Sequence, residues 1–213
     1  MRLAGLVVLL LLASAACASS SAWARAVVVE LHWGGFTRGS AADVQNEVDA
    51  LRARGVEVVN YEYAHAIPLR VEREVARFVH TLRADYDEVY LYGQSAGGTV
   101  ALSLAQRGWA TGAVAVAPVV SVPTLAEYPL VKKGSLGTRR QQVRASPLHQ
   151  RCADHGPLLV LHGTADPVVP YRLSQRYAAR CDATLRPVEG ADHGITLTPQ
   201  AEAIDWLARH AGP

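Results

Sequence analysis

The chain predicts an α/β protein, a mostly parallel six-stranded sheet with helices on both faces, built as one domain behind a short leader. Three observations predict it. Short runs rich in Val, Leu and Tyr alternate with segments whose apolar residues recur at helical spacing, which implies right-handed crossovers between parallel strands. The first of these runs, Ala26 to Leu31, is apolar except for Glu30, as a strand covered on both faces must be. The third run passes directly through Gly93-Gln94-Ser95-Ala96-Gly97 into a stretch of small and apolar residues, so a strand, a sharp turn and a helix meet there.

The leader comes first. Met1-Arg2 precedes an apolar run from Leu6 to Leu12 that is too short to span a bilayer, followed by Ala and Ser. That is the pattern of a signal peptide occupying 1–24, and Ala22-Trp23-Ala24 fits the small-x-small cleavage rule, which leaves a domain over 25–213, with Ala16-Cys17-Ala18 as an earlier cleavage option. The expected location is therefore secreted or in the cell envelope, with no transmembrane span in the mature chain. Cys17 follows Ser14-Ala15-Ala16 and offers a lipid anchor, although the leucine usual three residues before a lipidated cysteine is missing.

The elements follow in order. After the first strand and His32-Trp33-Gly34-Gly35-Phe36, Ser40 with Asp43 opens a helix carrying Val44, Val48 and Leu51 on one face, and Gly55 closes it. Val56 to Tyr61 is the second strand. Pro68 starts a helix with Val71, Val75, Phe78, Val79 and Leu82 inward, because its fixed φ suits a first turn. Val89 to Tyr92 is the third strand, and the helix after Ser95 runs to about Arg107. Ala113 to Ala117 is the fourth strand. The segment from 118 to 156 is irregular, broken by Pro123, Pro129, Gly134, Gly137 and Pro147, and so long a connection reads as a lid or pocket wall. Leu158 to Leu161 is the fifth strand, Pro170 to Arg180 a helix, and Ala183 to Val188 the sixth strand, placed at an edge because Pro187 cannot donate to a ladder. Thr198-Pro199 caps a last helix with Ile204 and Leu207 inward.

Ligands of such sheets bind beyond the carboxyl ends of the strands. That rule collects His32–Phe36, Tyr63–Ile67, Gly93–Gly97, Ala117–Val122, His162–Pro167 and Gly190–Gly194 onto one rim. Ser95 is the candidate nucleophile there, since a serine at a strand-to-helix turn is thrust outward and needs glycines two residues to either side for lack of room. A serine hydroxyl is a weak nucleophile without a base and an acid to orient that base. Asp166 after the fifth strand and His193 after the sixth supply them, in the chain order Ser95, Asp166, His193. The N–H of Ala96, at a helix N-terminus, faces the oxyanion of an attacked carbonyl.

On these residues the sequence resembles the α/β-hydrolase superfamily, and Ala145-Ser146-Pro147-Leu148 to Pro170 is similar to its carboxylesterase and prolyl-oligopeptidase-like branches. The resemblance implies a serine hydrolase with a triad of Ser95, Asp166 and His193 and an oxyanion hole from the N–H of Ala96 and of Trp33 or Gly34. Trp33 stands where the lipase and esterase pattern has glycine, so its side chain overhangs the acyl site. The expected reaction is hydrolysis of small-molecule carboxylic esters through an acyl-serine, with amide hydrolysis of the prolyl-oligopeptidase-like type and a non-catalytic binding protein as the alternatives.

Other residues carry plainer readings. Asp192 adjoins His193, and neighbours in an extended loop point apart, so it is read as solvated. His32 and His162, at strand ends, are read as loop-fixing, and His65 as an exposed rim residue. His149 and His155 lack metal-ligand spacing with the cysteines, and no cofactor or metal is expected. Lys132, Lys133, Arg139, Arg140 and Arg144 form a solvated surface run, and without an aromatic-basic ladder or a large net charge (formally +2) nucleic acid is not an expected partner. Cys152 and Cys181 each precede a parallel strand at the same end of the sheet, and an exported chain would join them in a disulfide.

Overall fold

The structure is a computed structural model that describes residues 24–129, 131–196 and 200–212. The leader and the cap expected at Thr198-Pro199 lie outside the described residues. Six parallel strands, β1 (Ala26–Leu31), β2 (Val58–Tyr61), β3 (Glu88–Gln94), β4 (Gly112–Val116), β5 (Leu158–Gly163) and β6 (Thr184–Val188), lie side by side in the order β2-β1-β3-β4-β5-β6. Pro187 therefore sits on an edge strand, paired on one side only, where its missing N–H does no harm.

Alternation within β1 feeds both faces. Val27, Val29 and Leu31 pack with α2 (Pro68–Leu82), α3 (Ala96–Ala105) and α6 (Tyr171–Cys181), whereas Val28 joins Val48 and Leu51 of α1 (Gln45–Arg52) and Ile204 and Leu207 of α8 (Ala201–Ala211). Pro68 occupies the first turn of α2, and α3 is buried along its whole length between the sheet and α2.

The helix expected from Ser40 opens instead as a 3-10 turn over Ala41–Val44, with the Ser40 N–H donating to the Asp43 carboxylate at 2.8 Å. The irregular connection after β4 contains structure of its own: α4 (Val122–Ala126), α5 (Arg139–Arg144) and a 3-10 turn at Pro147–His149. Its Val119, Val122, Leu125, Leu136 and Leu148 are buried in the main core, so it is a packed wall beside the rim. A disulfide joins Cys152 to Cys181 with Cα atoms 5.5 Å apart, where α6 delivers the chain to β6. The short α7 (His193–Thr196) follows β6.

Candidate active site

The strongest local constraint is at the end of β3. Ser95 takes φ +48°, a left-handed conformation a serine adopts only when its surroundings over-determine it. Those surroundings are visible in the two glycines: a Cβ on Gly93 would lie 2.4 Å from the Gly97 carbonyl carbon, and one on Gly97 would lie 2.0 Å from the Leu31 oxygen. The turn is thus wedged between the start of α3 and the end of β1. Ala96 is the first residue of α3, so its N–H belongs to the turn that has no acceptor within the helix.

Loops from β5 and β6 converge on this serine. The Nε2 atom of His193 lies 3.1 Å from the Ser95 hydroxyl, and its Nδ1–H donates to Asp166 Oδ2 at 2.6 Å. That bond sets the tautomer, leaving the Nε2 lone pair toward the serine. Asp166 is itself fixed on its other oxygen, which accepts from the N–H groups of Val168 and Val169 at 2.8 Å each. Burial alone would raise the carboxyl pKa. The hydrogen bonds from His162 and His193, the charge of His193 and the Val169 N–H outweigh it and hold Asp166 well below the usual carboxylate range.

His162 has the loop-fixing place expected of it, and does more. Fully buried, it accepts from the Ser174 hydroxyl through Nδ1 at 2.7 Å and turns its Nε2–H to the Val169 carbonyl at 2.9 Å and to Asp166 Oδ2 at 3.2 Å. The acid is therefore held by two imidazoles, an arrangement that sequence position alone did not suggest. Asp192 is exposed and the nearer carboxylate to His193 is that of Asp166.

A cleft of about 240 Å³ opens at the serine, lined by Trp33, Gly34, Gly35, Leu125, Tyr128, Val131, Val168 and His193 among others. Trp33 and Gly34 thus face the same space as Ser95. Their loop is tight: Gly34, at φ +123°, has no room for a Cβ against the Arg38 oxygen, and its carbonyl accepts from the N–H groups of Thr37 and Arg38. The exposed run of Lys132, Lys133, Arg139, Arg140 and Arg144 does not line this cleft.

The sequence profile of the prolyl oligopeptidase family matches residues 74–212, more than half of the chain and the part that carries Ser95, Asp166 and His193. The chain belongs to the prolyl oligopeptidase family. It is a serine hydrolase on the α/β-hydrolase fold, and solved structures of that fold align with this family member over most of their length. The apo form of Thermogutta terrifontis esterase 2 superposes with a TM-score of 0.74 at 20% identity, covering 89% of this chain and 85% of that one. The propionate-bound form of the same esterase gives 0.69 at 22%, with 90% and 84% covered. A truncated carbohydrate esterase from gut microbiota gives 0.73 at 16%, with 88% and 84% covered. No curated protein matches the chain. No helix among the described residues of this prolyl oligopeptidase family member is long and apolar enough to cross a membrane.

Proposed function

We propose that the protein is an exported esterase that hydrolyses small carboxylic esters through an acyl-Ser95 intermediate. The observation that carries this reading is the unbroken hydrogen-bond chain Ser95–His193–Asp166 opening into the cleft. His193 Nε2 takes the hydroxyl proton as Ser95 Oγ attacks the carbonyl, and Asp166 stabilises the imidazolium that results. The tetrahedral oxyanion is received by the N–H of Ala96 with that of Trp33 or Gly34. His193 then returns the proton to the leaving alcohol, and a water activated the same way releases the acid.

The cleft supports a small ester, because about 240 Å³ is below the usual range of drug-sized ligand pockets and Trp33, Leu125 and Tyr128 wall it. Short to medium acyl chains follow from that size. The leader-like N-terminus and the Cys152–Cys181 bond support export, since disulfides persist in oxidising compartments. One observation favours a second reading: the family itself points to peptide bonds, and the same serine would serve an amide.

A series of nitrophenyl esters of increasing acyl length, run beside aminoacyl nitroanilides, separates the two. Hydrolysis of short esters with negligible anilide cleavage is expected; a clear preference for the anilides would move the assignment to peptide hydrolysis. Ser95→Ala and His193→Ala should each lower kcat by roughly 10⁴–10⁶-fold and Ser95→Ala should abolish fluorophosphonate labelling. A folded variant of either kind that kept most of its activity would remove the proposed triad.

A further inference from the structure

Behind the loop that carries Trp33 and Gly34, three side chains converge that the hydrolase chemistry does not use. His32, Glu62 and His65 each bring one donor atom to within 4.8 Å of the other two. They come from the ends of adjacent strands, His32 just after β1 and Glu62 and His65 just after β2. We propose that these residues form a divalent transition-metal site of the zinc class, two imidazoles and a carboxylate with the remaining position open to solvent.

The decisive feature is His32. The side chain is fully buried, its Nδ1–H donates to the Trp33 carbonyl at 2.7 Å, and its ring is stacked on Tyr63 with centroids 3.8 Å apart. In the neutral ring, the form that binds a metal, this leaves the lone pair on Nε2. This nitrogen is buried without a hydrogen-bond partner, and the nearest charged group is Oε1 of Glu62 at 3.4 Å. Two lone pairs facing each other across that gap want a cation between them. The separation is also suitable, because donors bound tetrahedrally at about 2.1 Å stand roughly 3.4 Å apart.

The groups behind the donors are already set. Oε2 of Glu62 accepts from the Ala41 N–H at 2.7 Å, so Oε1 is the oxygen turned to the site. His65 is oriented by Nε2, which donates to the Gly39 carbonyl at 2.8 Å. Backbone partners of this kind fix the tautomer and aim of metal-bound histidines. Glu62 and His65 are exposed at the open side of the cluster, whereas His32 is buried behind them. The donor set, nitrogen-rich with one carboxylate, suits zinc and excludes the hard cations that require oxygen. Bound metal would tie the exit of β1 to that of β2 and so brace the loop from His32 to Gly39.

The test is calorimetric titration of zinc into the full mature chain, purified without a histidine tag and stripped with a chelator. One ion per chain with micromolar or tighter affinity is expected, with no heat from magnesium or calcium. Zinc at a hundredfold excess over Kd should raise Tm by ~5–10 °C. Glu62→Gln, which keeps an oxygen for the Ala41 N–H, and His65→Ala should each weaken binding at least ~10-fold while leaving the metal-free Tm unchanged. Absence of binding at 100-fold molar excess of zinc, equal binding of magnesium, or zinc affinity retained in the Glu62→Gln/His65→Ala double variant would each overturn the site. None of these readouts depends on turnover, so the assignment of Ser95 stands or falls separately.

Discussion

Replacing both cysteines, Cys152→Ala with Cys181→Ala, should lower stability more than activity. The bond closes a loop of 29 residues, and in the chain-entropy relation a loop of that length is worth about 3.6 kcal/mol at 25 °C through the unfolded state. For a domain of this size each kcal/mol moves Tm by ~2–4 °C, so a loss of roughly 7–14 °C is expected in a thermal scan followed by far-UV circular dichroism. The loss should have a local character. Cys181 ends α6 and delivers the chain to β6, an edge strand with a single partner, and β6 in turn feeds the residues that hold His193: the Thr164 N–H donates to the Val188 carbonyl at 3.1 Å and the Ala165 N–H to that of Ala191 at 3.1 Å. Hydrogen exchange in β6 and in the 189–193 loop should accelerate before that of β1 or β3. At 25 °C, ester hydrolysis should stay within about threefold of the parent, because both sulfurs lie at the amino end of the sheet, away from Ser95. A Tm unchanged within ~2 °C would refute the entropic argument, and a tenfold loss of activity at 25 °C in the folded variant would refute the separation of bond from site.

Two further predictions follow from individual carboxylates. Asp166→Asn should preserve the fold while favouring the wrong imidazole tautomer, with kcat down on the order of 10⁴-fold, whereas Asp192→Asn should cost less than ~10-fold; steady-state kinetics in which the second proved the more damaging would misassign the acid. Glu30 is fully buried with both oxygens lacking hydrogen-bond partners, and burial, reinforced by the nearby charge of Glu47, pushes its carboxyl well above the ordinary value. A native state that holds this proton more tightly than the unfolded chain gains stability that is complete below the unfolded carboxylate value, ~4.3, and is lost as pH rises through the native one. Glu30→Gln should accordingly raise the urea midpoint at pH 8 and leave it nearly unchanged at pH 4; a gain of equal size at both pH values would mean that charge burial is not the cause.

Much of the candidate site was legible because its constraints are local. Gly93 and Gly97 announce a turn without room for side chains, and the order Ser95, Asp166, His193 places three loops on one rim once the strands are known to be parallel. What sequence could not give is contact across strands. His162 and Asp166 are four residues apart in a turn whose shape is set by Val168 and Val169, so their hydrogen bond appears only with the backbone in place. His32 lies some thirty residues before Glu62 and His65, and its meeting with them depends on the register of β1 with β2, in which Leu31 faces Tyr61. The wall after β4 read as irregular because α4 and α5 are 5 and 6 residues long, under two turns each, too short for a hydrophobic period to declare itself.

The strand order has a consequence of its own. From β1 the chain steps outward to β2 and then returns to the other side of β1 for β3, so the winding reverses between β1 and β3. The loop after β1 leaves toward α1 on one face of the sheet while the loop after β3 enters α3 on the opposite face. The two diverge, and the gap between them is produced by the path of the main chain before any side chain is chosen. Ser95 stands on one lip of that gap and Trp33 and Gly34 on the other. The candidate nucleophile and the proposed oxyanion donors are therefore tied to the ends of two interior strands, whereas Leu125, Tyr128 and Val131, which line the same cleft, come from a separate connection. Replacing those three side chains should alter which molecules are accepted while leaving the hydrogen bonds at Ser95 in place, which makes Leu125, Tyr128 and Val131 the natural positions at which to redesign selectivity.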